Sequence, residues 1–201
     1  MAYSDTPKSA FTSQFNRLLR SALQNVSQGI RSLDVDIPRD NISSCLKRLS
    51  LPHLHTLNIG TSFNADLAHF LLAHPKLETL RIVGEMALPA NPRGTKGVYK
   101  GMSIPMPSLT TFAGPPGSCR IIIPGSQVQD VLLNTSGVQR DPRWEEDALK
   151  AVFSSEQPIK TLGFTHFTYR RALFDVMGQW CGGITRLALG LTEPEQVDVR
   201  L

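Results

Sequence analysis

Leu51-Pro52-His53-Leu54-His55-Thr56-Leu57-Asn58-Ile59 contains a phrase, apolar-x-x-apolar-x-apolar, at Leu54, Leu57 and Ile59. The same phrase stands at Ile30/Leu33/Val35, Leu77/Leu80/Ile82, Ile159/Leu162/Phe164 and Ile184/Leu187/Leu189, with weaker copies at Leu109/Phe112 and Val128/Val131/Leu133. Its last two apolar positions are two residues apart, so they point to one face of a strand. The first falls on the turn leading into the strand and packs behind it. One such unit cannot bury its own apolar side, so a returning phrase implies units stacked on one another.

The copies begin at 30, 54, 77, 109, 128, 159 and 184, in steps of 24, 23, 32, 19, 31 and 25. Three steps fall within the roughly 20–29-residue period of leucine-rich repeats. The intervening segments carry helix signals. Phe15, Leu18, Leu19, Ala22, Leu23 and Val26 share one helical face, and Gly29 stops that helix. Asn64 is placed to cap a helix with Leu67, Phe70 and Leu71 inward and Pro75 beyond its end. Asp141-Pro142 opens another, with Ala148, Leu149, Val152 and Phe153 as its stripe. A further helix is expected over 169–180 and a short turn over 43–49. Strands that each follow a crossover run parallel.

Two stretches are less regular. Residues 84–107 are rich in Pro and Gly and read as a long excursion. Gly114-Pro115-Pro116-Gly117 followed by Ile121-Ile122-Ile123 reads as a turn and a short buried strand in place of a helix. The predicted fold is therefore α/β: about seven irregular units in an arc of parallel strands backed by helices. Residues 13–191 form the repeat domain, 84–107 its inserted basic loop, and 1–12 and 192–201 flexible tails. The C-terminal end is expected to be weakly capped, through truncation or through a partner that covers it.

Bulk composition narrows the function. The formal charge is +4 and 41% of residues are apolar, which suits a globular core and falls short of a nucleic-acid footprint. Cys45, Cys119 and Cys181 are too few and too scattered for a disulfide framework or a zinc site, so a reduced intracellular compartment, cytoplasmic or nuclear, is expected. No apolar run approaches a membrane span of about 20 residues. The acceptor-like tripeptides at Asn25, Asn41 and Asn134 are read as incidental beside a polar N-terminus.

Candidate chemistry is sparse. His53 and His55 sit on a turn, and His69 and His74 do not share a helical face. Gly94-Thr95-Lys96-Gly97 lacks the spacing of a phosphate loop, and no G-x-S-x-G elbow is present. No catalytic residue, cofactor or metal is assigned, and the chain is expected not to be an enzyme. The strand positions facing away from the core are mostly small and threonine-rich. On that face Asp34, Asp36, Asn58, Arg81, Asp130 and Arg186 are the candidate protein-binding residues. The 84–107 loop adds Arg93, Lys96 and Lys100 as a docking surface for an acidic partner. The sequence leaves open which surface binds, and a purely structural repeat fragment without a specific partner is the alternative.

The stretches Leu51-Pro52-His53-Leu54-His55-Thr56-Leu57, His74-Pro75-Lys76-Leu77-Glu78-Thr79-Leu80 and Met106-Pro107-Ser108-Leu109-Thr110-Thr111-Phe112 resemble leucine-rich-repeat proteins. With the segment from Phe112-Ala113-Gly114-Pro115 to Ile123-Pro124-Gly125, they look like the F-box-associated leucine-rich-repeat proteins of mushroom-forming fungi. The resemblance implies a non-enzymatic interaction scaffold that selects a substrate for a ubiquitin ligase, with the ligase core as a second partner. Residues 1–28 carry a single amphipathic helix and not the several helices of an F-box.

Overall fold

The computed structural model describes residues 6–36, 42–84, 103–135, 142–167, 177–179 and 181–191. The chain alternates helix and strand: α1 (Thr6–Asn25), β1 (Ser32–Val35), α2 (Ile42–Leu46), β2 (Thr56–Ile59), α3 (Ala65–Leu72) and β3 (Thr79–Ile82). It continues with β4 (Thr111–Gly114), α4 (Pro116–Ile122), β5 (Asp130–Leu133), α5 (Pro142–Val152) and β6 (Thr161–Phe167). A 3-10 turn (Cys181–Gly183) then precedes β7 (Arg186–Leu191). The seven strands form one all-parallel sheet in which strand order equals chain order. No described helix is long and apolar enough to cross a membrane.

The phrase sets the register. Leu33, Leu57, Leu80, Phe112, Val131, Leu162 and Leu187 stand side by side across the sheet. Val35, Ile59 and Ile82 continue the next inward row, as do Gly114, Leu133, Phe164 and Leu189. Gly114 has no side chain to contribute, and Phe112 fills that space: a Cβ on Gly114 would lie 2.9 Å from Phe112 Cζ. The lead-in residues Leu54, Leu77, Leu109, Val128 and Ile159 are all buried behind the strands. Burying each such side chain contributes about 1.5–3 kcal/mol against exposure, which is why the phrase and not strand propensity decides the facing.

Each junction between neighbouring strands is closed in the same way. One carbonyl accepts the N–H groups of two successive residues on the next strand's lead-in. Arg31 takes those of His55 and Thr56, His55 those of Glu78 and Thr79, and Glu78 those of Thr110 and Thr111. Thr110, Gln129 and Lys160 do the same for Gln129/Asp130, Lys160/Thr161 and Thr185/Arg186. These bonds satisfy main-chain groups before the ladder begins.

The helix signals of α3 and α5 hold. Asn64 caps α3 by accepting from the Leu67 N–H at 3.0 Å, and Leu67, Phe70 and Leu71 are buried. Pro142 is the first residue of α5, where Ala148, Leu149 and Val152 are buried. Most of the helix expected over 169–180 lies outside the described residues, and of it only 177–179 are seen as helical, with Met177 buried.

Several expectations are corrected. Gly114–Ile123 does not add a strand. Pro116 begins helix α4, with Pro115 at the N-cap position and no side-chain capping bond, and the Ser118 hydroxyl donates to the Pro115 carbonyl. A short apolar run does not distinguish a buried strand from a buried helix, and proline at the first helical position decides it here. The α1 stripe splits: Leu23 is buried and Leu19 half-buried, while Phe15, Leu18 and Val26 are exposed. A stripe as wide as Phe15–Val26 needs neighbours on two sides, and among the described elements the main contact of α1 is with α2. The same helix begins at Thr6, inside the expected 1–12 tail. Ile104 and Met106, assigned to the 84–107 excursion, are fully buried, and the Ile104 N–H donates to the Ile121 carbonyl. Leu187, expected in the core, is 45% exposed, because β7 is the outermost strand of the sheet.

Candidate interaction face

The strand positions between the inward residues form the sheet's other face, in two register rows. The first holds Ser32, Thr56, Thr79, Thr111, Asp130, Thr161 and Arg186. The second holds Asp34, Asn58, Arg81, Ala113, Leu132, Gly163 and Ala188. Asp34, Asn58 and Arg81 are therefore brought together on three adjacent strands, about 4.8 Å apart from one to the next. Asp34 and Arg81 are exposed and Asn58 is half-buried between them. Asp130 and Arg186 lie in the first row with Thr161 between them, both exposed. Asp36 is exposed just past β1. Arg93, Lys96 and Lys100 lie outside the described residues.

The second row changes character along its length. Over β1–β3 it is charged and amide-bearing, and over β4–β7 it is small and apolar. Leu132 is 36% exposed and leans over its neighbour, so that a Cβ on Gly163 would lie 2.8 Å from Leu132 Cδ1. Val83, just past β3, is 40% exposed. Residue-by-residue selection of charged and amide groups passes over this apolar half. Its signal was the run Val131-Leu132-Leu133: three apolar residues in a four-residue strand force one of them outward.

The two margins of the face are fixed by polar contacts. At the strands' C-terminal ends, Asn134 Nδ2 donates to the Val83 carbonyl at 3.0 Å, spanning β4. Asn134 Oδ1 accepts from Thr165 Oγ1 at 3.1 Å, and the Asn134 N–H donates to the Gly114 carbonyl. One side chain thus ties β3, β5 and β6 together. At the opposite margin His55 Nδ1 lies 3.0 Å from Glu78 Oε1, both exposed. The amide oxygen of Asn58 is buried and accepts no hydrogen bond among the described residues, an acceptor whose desolvation costs about 1–3 kcal/mol.

Several reactive groups elsewhere among the described residues are occupied or buried. Burial pushes the Cys119 thiol well up, so it stays protonated. The hydroxyls of Ser118 and Ser126 donate to the carbonyls of Pro115 and Ile123. His74 is buried with both ring nitrogens against main-chain groups. A cleft of about 190 Å³ lined by Phe153, Glu156, Pro158 and Gly183 is smaller than the roughly 300–1,000 Å³ of small-molecule sites, and the Ser155 hydroxyl beside it donates to the Val128 carbonyl at 2.7 Å. Among the described residues no group of three or more His, Cys, Asp or Glu side chains is placed to hold a metal ion. What the arrangement offers chemically is a broad, shallow sheet face with a charged end and an apolar end. No protein-family model, no curated protein and no solved structure matches the chain.

Proposed function

We propose that the chain is a solenoid of the leucine-rich-repeat type and works as a non-enzymatic protein-interaction scaffold, with the open face of the sheet as its recognition surface. The observation that carries this reading is the two-part second row: Asp34, Asn58 and Arg81 at one end, Ala113, Leu132 and Ala188 at the other. Such a face takes an elongated segment that places a polar or charged group over β1–β3 and an aliphatic one over Leu132. Arg93, Lys96 and Lys100 lie in the sequence between β3 and β4, the strands at the border between the two halves. Selection of a substrate for a ubiquitin ligase is the specific version, and it rests on the sequence resemblance.

Affinity capture with wild-type protein, Arg81→Ala and Leu132→Asp tests the reading. A defined partner retained by the wild type and lost from both folded variants supports the face. A partner retained equally by all three removes it. The same capture without ligase core subunits removes the ubiquitin-ligase version alone.

A further inference from the structure

Three lead-in turns share one pattern: Leu51-Pro52-His53-Leu54, His74-Pro75-Lys76-Leu77 and Met106-Pro107-Ser108-Leu109. The first position is buried in each, with Leu51 at 1%, His74 at 5% and Met106 at 0% exposure. A titratable ring therefore fills a plug position that leucine and methionine fill in the neighbouring turns.

The ring's contacts fix its protonation. The Leu51 N–H donates to His74 Nε2 at 3.0 Å, so Nε2 must hold a lone pair. Nδ1 lies 2.6 Å from the Phe70 carbonyl, which only accepts, so Nδ1 must hold the proton. The ring also stacks on Phe70 with centroids 4.0 Å apart. The Leu51 amide depends on this arrangement. The main-chain bonds around it come from Lys47, Leu49 and Leu54, and Leu51 itself turns to the histidine.

We infer that His74 is an acid-sensitive clamp that holds the turn before β2 against the end of α3, and that protonation at Nε2 releases it. The added proton sets one N–H against another across the 3.0 Å contact and puts a cation among apolar side chains. The charged or titratable groups on the elements packed here are Cys45, Lys47, Arg48, Asp66 and His69, with His53, His55, Lys76 and Glu78 on the lead-in turns. Lys47 is paired with Asp66 at 2.8 Å and His55 with Glu78. The influences on the ring are burial, which lowers its proton affinity, and the Phe70 carbonyl, which raises it by less; no carboxylate contributes.

The sign follows from linkage. The native ring resists a proton that the opened chain accepts near the ordinary value of about 6.5, so opening takes up a proton. The clamp is at full strength above that pH. It weakens as pH falls from about 6.5 toward the lower native value, by a factor of about ten in the opening equilibrium per unit of depression.

The test compares wild type with His74→Gln, whose side-chain oxygen keeps an acceptor for Leu51 without titrating, from pH 8 to pH 5. Native-state hydrogen exchange at the Leu51 amide, corrected for intrinsic rate, is read against the Val131 amide. The clamp requires Leu51 protection to fall in acid more steeply than that of Val131 in the wild type, and this excess to vanish in His74→Gln. If His74→Gln does not fold, nitrogen NMR of the wild-type ring replaces it: the ring must be the Nδ1–H tautomer and titrate below 6.5. Parallel pH profiles for the two proteins, an Nε2–H tautomer, or a ring titrating at or above 6.5 overturns the inference.

Discussion

Strands β1–β3 and β4–β7 present the same inner face and different outer faces. Inside, both halves continue the same two apolar rows in one register. Outside, Asp34, Asn58 and Arg81 give way to Ala113, Leu132, Gly163 and Ala188. The inner rows are held by burial and tolerate little. The outer row is free to differ from strand to strand, and under the proposed scaffold function that freedom is where specificity would be written.

Breaking the inner row should have the largest effect. Leu57 is fully buried, so Leu57→Asp should abolish cooperative folding through an unpaired buried charge. Leu132→Asp, on the outer row of the apolar half, should leave the melting curve within about 1 kcal/mol of wild type. Circular dichroism melts of both variants check the contrast, and equal losses would overturn the assigned facing.

Next in size is the difference between the middle and the edge of the same inward row. Leu162→Ala should cost about 2–5 kcal/mol, the range for a large-to-small change in a packed core. Leu187→Ala should cost under about 1 kcal/mol, because its side chain is already 45% exposed. Urea denaturation of the two variants separates them.

The margin of the face comes third. Asn134→Ala removes the donor to Val83 and the acceptor for Thr165, and should cost about 1–2 kcal/mol at the β3–β6 seam. Smallest is Thr56→Ala on the outer row, expected within about 0.5 kcal/mol in the same urea assay. A larger loss there would mean that the outer threonines contribute to folding as well as to the face.

Much of the fold was legible because burial leaves a periodic trace. Leu57 and Ile59, or Leu80 and Ile82, announce a strand and its facing, and Asn64 announces the helix that follows. The losses occur where the local pattern is ambiguous or the deciding partner is remote. Ile121-Ile122-Ile123 suits a buried strand or a buried helix, and Pro116 tips it. The α1 stripe from Phe15 to Val26 is continuous in the sequence, yet only the packing of α1 against α2 separates Leu23 from Leu18. The candidate face was half legible. Asp34, Asn58 and Arg81 could be placed in one row from the phrase alone, whereas the Asn134 bridge joins residues 51 apart and leaves no local signal. The plug role of His74 was in the repeated turn pattern, but its tautomer needed the Leu51 amide and the Phe70 carbonyl.

The paired main-chain bonds that close every junction also determine how the molecule would bear load. With strand order equal to chain order, tension applied across the sheet meets the junctions as links in series. Each link that parts releases one connection. The release has a characteristic length, because 23 residues separate Leu54 from Leu77 but 32 separate Leu77 from Leu109. At about 3.4 Å per extended residue those are steps of about 80 and about 110 Å. A force-extension trace would therefore carry, in its unequal spacings, the identity of the seam that gave way.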